Sequence, residues 1–199
     1  MMREKENHNH PVKGAAIFVE PIRSEKDIGK IRRRLKKGNP RDSLLFNLGI
    51  NNGLRIGDLL KLKVEDVVDM EVGETIQIKE GKTGKRNVLG MNKTSHEALQ
   101  RFIKAANPKD EDPLFKSKKG SKAITVPYAS SLVKSWCREL KGNYASHSLR
   151  KTFGYIQRTK FGVGFDVICR RFNHSSPSTT MKYLGIEDKE VNGILLNEI

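Results

Sequence analysis

One stretch of the chain changes its apolar period from helical to alternating, and it limits the folds open to everything around it. From Glu74 onward, Thr75, Ile76, Gln77, Ile78 and Lys79 alternate polar and apolar, as a strand with one buried face does. Gly81-Lys82-Thr83-Gly84-Lys85 then reads as a turn, and Arg86, Asn87, Val88 and Leu89 run back. This predicts a β-hairpin with a basic tip. Two strands cannot form a core alone, so the helical segments on either side must supply it. The expected fold class is mainly α with a small antiparallel β-sheet (α+β).

Those helical segments can be read in order. Ser24 is a good N-cap for SEKDIGKIRRRLKK, in which Ile28, Ile31 and Leu35 form an apolar stripe and basic residues crowd the C-terminal end, as the helix dipole favours. RDSLLFNLGINNGL brings Leu44, Leu45, Leu48 and Ile50 at core-helix spacing, and Asn51, Asn52 and Gly53 stop it. Arg55 follows that turn and opens a second helix whose Leu59, Leu60 and Leu62 face the core, with Asp58 one turn on to hold the arginine in place. Asn92 to Ala106 and Pro127 to Leu140 read as further helices, the second with Trp136 on its apolar face, and residues 107–126 form a polar crossover pinned by Leu114 and Phe115. At 199 residues the chain is sized for one domain, preceded by a flexible basic tail over residues 1–20.

Charge narrows the partners. Thirty-eight Lys and Arg oppose twenty-three Asp and Glu, a formal net charge of +15, which favours a polyanion such as DNA or RNA. The run Arg32 to Arg34 with Lys36 and Lys37 fits phosphate contacts and a solvated face equally well. Cys137 and Cys169 stand singly, without the spacing of a disulfide framework or a zinc site. His8 and His10 lack a third ligand nearby and read as solvated. No apolar run approaches the roughly 18 to 20 residues of a membrane span, and the first residues lack a signal core, so a soluble, cytoplasmic protein without membrane association is expected. Gly81-Lys82-Thr83 is no phosphate-binding loop of the nucleotide enzymes, because the glycine required five positions earlier is Ile76.

The stretch from Ala145 to Gly185 carries the densest chemistry: His147 and Arg150 three apart, then His174, then Tyr183 nine residues later. A phenol can attack phosphorus and form a covalent intermediate, and cationic side chains can steady the charge on the phosphate oxygens. Taken singly, each residue has a plainer role: a packed tyrosine, a core histidine, a structural arginine. Together with Arg55 and Lys82, in the contexts LRIGDLLKL, GKTGKR, HSLRKTF and NHSSPSTTMKY, the six resemble the active-site set of the tyrosine recombinase (phage integrase) family, over about residues 20–199.

The resemblance implies the tyrosine recombinase catalytic-domain fold and site-specific cutting and rejoining of double-stranded DNA, without a metal or other cofactor. It implies that Tyr183 attacks a DNA phosphate, leaving a 3′-phosphotyrosyl link and a free 5′-hydroxyl. Arg55, Arg150 and His174 would hold the non-bridging oxygens, Lys82 would protonate the leaving oxygen, and His147 would assist proton transfer at the tyrosine. It implies a homotetramer on synapsed DNA, a monomer in solution, and accessory DNA-bending or directionality factors. Residues 187–199 read as a terminal helix with a stripe of Val191, Ile194 and Leu195, to be exchanged between protomers. The helical DNA-binding domain that precedes many catalytic domains of this family is not expected here. The rival readings are a DNA-binding or accessory protein that keeps the fold without cutting, and a related topoisomerase.

Overall fold

The computed structural model describes residues 18–186 and 192–198. Helix α1 spans Glu25–Lys37, with the Ser24 hydroxyl accepting the Asp27 N–H and Ile28, Ile31 and Leu35 buried. Helix α2, Pro40–Asn52, starts with proline behind an Asn39 cap and ends on Gly53 in the left-handed region. It is the central element, because α1, α4 (Lys93–Ala106) and α6 (Ser146–Thr159) all pack on it. This is why Leu44, Leu45, Phe46 and Leu48 are all fully buried although they point around the helix; a helix covered on several sides needs apolar residues on more than one face. Phe46 meets Trp136 edge-on at 5.9 Å, so Trp136 is core, as its position on an apolar face suggested.

The hairpin forms as expected. Strands β1 (Thr75–Lys79) and β2 (Arg86–Gly90) pair antiparallel, Thr75 opposite Gly90 and Lys79 opposite Arg86. Leu89 anchors it in the core, and Leu114 and Phe115 pin the crossover at zero exposure. Two helices are shorter than their apolar spacing predicts. Helix α3 is a single turn, Ile56–Leu59, yet Leu59, Leu60 and Leu62 are buried all the same. Helix α5 runs Val126–Trp136 and stops before Leu140, whose N–H bonds back to the Cys137 carbonyl.

A second, smaller core supports the last part of the chain. Helices α7 (Phe165–Arg171) and α8 (Pro177–Leu184) enclose Ile168, Phe172 and Leu184, against which Phe153, Phe165 and Tyr183 pack. Gly154 on α6 makes this approach possible: a Cβ there would stand 2.8 Å from Leu184 Cδ2 and 2.9 Å from the Phe172 ring.

Residues 18–20, expected in the tail, belong to the folded body. The Glu20 N–H bonds to the Asn143 carbonyl, and just beyond it the Ile22 N–H bonds to Thr152 Oγ1 and Arg23 to the Gly185 carbonyl. Residues 1–17, with His8 and His10, lie outside the described residues. So do 187–191 and 199 of the expected terminal helix; within it, Gly193–Leu196 is a 3₁₀ turn in which Leu195 and Leu196 are 78% and 86% exposed. Among the described residues no helix is long and apolar enough to cross a membrane.

Candidate active site

Arg150 lies on the second turn of α6 and is only 2% exposed. Its guanidinium donates to the Gly53 carbonyl at 2.6 Å and the Phe172 carbonyl at 2.7 Å, and it sits 4.3 Å over the Phe172 ring. The left-handed turn at Gly53 is therefore more than a helix stop, since its carbonyl orients a buried cation. Burial lowers the Arg150 pKa to about 10, which still leaves it charged at neutral pH.

Arg55 leads into α3 in extended backbone and pairs with Glu80, not with Asp58. Its Nη1 is 2.6 Å from Glu80 Oε2, while Asp58 turns to the hairpin and accepts the Gly81 N–H at 2.7 Å. The expected Asp58 role fails because Arg55 precedes α3 in extended backbone, outside the helical spacing that would bring residues 55 and 58 together. Glu80, 1% exposed, also accepts from the Thr83 hydroxyl and the Asn87 amide. Burial alone would raise its pKa, but hydrogen bonds from Thr83, Asn87, Arg55 and Asn173 outweigh that and bring it to about 2. Arg171 of α7 ties the hairpin to the end of α2 by donating to the Asn52 and Val88 carbonyls and to Asn87 Oδ1.

Tyr183 lies on the last turn of α8. Its hydroxyl is 3.3 Å from His147 Nδ1 at the start of α6, with Arg150 set against the phenol oxygen. Burial raises the phenol pKa above 10, and Arg150 and Arg55 pull it back. The His147 pKa is lowered, first by burial and then by Arg150, Arg55, Lys151 and Lys82. His174 follows α7, its ring between Phe172 at 5.2 Å and Tyr183 at 5.1 Å. Burial, with the nearby Arg150 and Arg55, takes its pKa down to about 4. Both imidazoles are therefore neutral at neutral pH, and His147 has its Nδ1 placed to accept the phenol proton.

Five of the six expected residues, Arg55, His147, Arg150, His174 and Tyr183, are thus gathered at one place. Lys82 stands apart at the exposed hairpin tip, where it makes no hydrogen bond or ion pair among the described residues, though its charge reaches His147. Sequence reasoning missed Glu80, Arg171 and Lys151. Lys151 is 4% exposed, with its ammonium 3.7 Å from the Phe18 ring centre and 4.9 Å from that of Tyr183, and burial lowers its pKa to about 8. Its place directly after Arg150 in HSLRKTF was the one available signal. The gathered groups can hold an oxyanion between two guanidinium groups and move a proton between a phenol and an imidazole.

A mostly helical body with one hairpin, and a half-buried phenol ringed by two arginines and two neutral imidazoles, define a class. The chain belongs to the phage integrase family, whose model matches residues 24–190, and so to the tyrosine-type site-specific recombinases. It is 35% identical over 174 residues to the probable integrase/recombinase YoeC of Bacillus subtilis, covering 86% of this chain and 92% of that protein. It is 31% identical over 156 residues to the tyrosine recombinase XerA of Pyrococcus horikoshii, covering 77% of this chain and 53% of that one. The chain thus spans nearly all of the first relative and about half of the second. Among solved structures it resembles the XerA recombinase, with TM-score 0.72 at 20% identity over 90% of this chain and 67% of that one. It also resembles the XerH recombinase in its post-cleavage complex with difH substrate, with TM-score 0.71 at 22% identity over 94% and 55%.

Proposed function

We propose that this chain cuts and rejoins double-stranded DNA at a specific site with Tyr183 as the nucleophile. The contact between Tyr183 Oη and His147 Nδ1 carries the reading. A phenol with a raised pKa is protonated at neutral pH and needs a base, and a neutral imidazole 3.3 Å away can take its proton. As the proton leaves, the phenol oxygen forms its bond to phosphorus and the bond from phosphorus to the 5′-oxygen breaks. Arg150 and Arg55 hold the non-bridging oxygens as charge builds on them, and Lys82, at the exposed hairpin tip, delivers a proton to the departing oxygen. The reverse attack by another strand's 5′-hydroxyl expels the tyrosine and seals the exchange.

The fold match to DNA-bound recombinases and the charge of +15 support DNA as the partner. We further propose that residues 187–199 dock on a neighbouring protomer in a DNA-bound tetramer. The exposure of Leu195 and Leu196 supports this, since adjacent exposed leucines are better buried against a partner.

Incubation with a nicked suicide DNA substrate tests the central step. A covalent protein–DNA adduct that disappears in Tyr183→Phe is the expected result. Binding without an adduct would instead point to a non-cutting DNA-binding protein, and relaxation of supercoiled DNA without a preferred site would point to a topoisomerase.

A further inference from the structure

The proton on His174 can be assigned from its surroundings. The His174 backbone is tied to α7: its N–H bonds to the Cys169 carbonyl and its carbonyl accepts the Cys169 thiol. The ring is held from the other side by α8, where Nδ1 lies 3.0 Å from the hydroxyl of Thr180. Thr180 is 0% exposed, so its hydroxyl has no water to turn to and must use neighbouring groups. Besides Nδ1, the Ser176 carbonyl lies within reach at 3.4 Å. That carbonyl already accepts the Thr180 backbone N–H at 3.2 Å, and the longer contact is the weaker claim on the hydroxyl proton. Of the two contacts, the one to the imidazole nitrogen is the shorter.

We propose that Thr180 is a positioning residue: its hydroxyl donates to His174 Nδ1, fixing the tautomer that carries hydrogen on Nε2 and so making His174 a donor. A neutral imidazole carries one N–H, and the bond at one nitrogen decides the role of the other. With Nδ1 occupied as an acceptor, Nε2–H is left for an anion. In the opposite tautomer Nε2 would present a lone pair to a phosphate oxygen and repel it. Thr180 stands one helical turn before Tyr183 on the same face of α8. The helix that brings the nucleophile therefore also sets the polarity of the imidazole beside it, and His174 is a donor only while α8 is seated.

That His174 donates to a DNA phosphate rests on the function proposed above; the tautomer itself does not. Nitrogen-15 NMR of the His174 ring in the DNA-free protein reads it directly. The expected result is hydrogen on Nε2 in the wild type and in Thr180→Ser, and loss of that single tautomer in Thr180→Val, which keeps the shape without the hydroxyl. Cleavage of the suicide substrate should fall about tenfold in Thr180→Val and recover in Thr180→Ser. Hydrogen on Nδ1 in the wild type, or an unchanged His174 ring in Thr180→Val, overturns the assignment whatever the protein does to DNA. The expected tautomers in a wild type that never forms an adduct would uphold the Thr180 contact and refute strand cleavage.

Discussion

Glu80 Oε2 stands 2.6 Å from Arg55 Nη1, joining the residue that follows β1 to the residue that leads into α3. The carboxylate is buried and the arginine partly exposed, so one pair links the hairpin bearing Lys82 to a guanidinium proposed to grip phosphate. Replacing Glu80 by Gln keeps the shape and removes the charge. The expected loss is about 2–3 kcal/mol of folding stability at neutral pH, measured by denaturant melts, with a weaker hold on DNA phosphate. The Glu80 pKa is about 2 folded against 4.5 ordinarily, so its contribution is complete above 4.5 and disappears as pH falls toward 2. A Glu80→Gln protein with the same acid unfolding curve as the wild type would remove Glu80 from this role.

His147 should set the acid limb of the cleavage rate. Because burial and then Arg150, Arg55, Lys151 and Lys82 lower its pKa, the imidazole stays neutral below the ordinary 6.5. The rate should therefore hold as pH drops past 6.5 and fail only below it. Lys151→Met removes one of the cations, so the limb should move upward toward 6.5. A pH–rate profile of the two proteins checks the sign, and a limb that moves downward would contradict it.

Gly154 holds open the space in which α6 meets α8. In Gly154→Ala the added methyl falls within 3 Å of Leu184 and Phe172, so Phe172, whose carbonyl receives Arg150, must shift. The expected cost is about 1–3 kcal/mol of stability, with adduct formation reduced by more than DNA binding. Equal reductions in both would mean that the strain spreads through the whole body instead of settling at the site.

Removing residues 187–199 should spare the melting temperature of the DNA-free protein while weakening assembly of two DNA sites into one complex. Gel mobility on paired sites separates these effects. A truncated protein that synapses normally would show that the exposed leucines have another use.

How much of this was legible beforehand depended on whether a role was local. Ser24 caps α1 by a bond to its own third neighbour, and the hairpin declares itself by alternation, so both are written in adjacent residues. The six candidate residues were legible because each sits in its own recognisable short context, and five of them meet in space. Glu80 was not, because a glutamate at the end of a strand looks like any other until the hairpin folds back over α3. Three-residue spacing points to Asp58 as the partner of Arg55 only if both lie on the helix, and Arg55 stands just before it in extended backbone. Leu140 continues the apolar spacing of α5 through a turn that is no longer α-helical, so the same period overshot that boundary as well.

Arg23 donates to the Gly185 carbonyl, and the Ile22 N–H is fastened to Thr152 on α6. Residues 22 and 23 are therefore tied to α6 and to the residue two past Tyr183 at the end of the nucleophile helix. A pull on this segment meets Asn143 and then α6 before it reaches the end of the nucleophile helix, so the phenol is shielded from it by two earlier anchors.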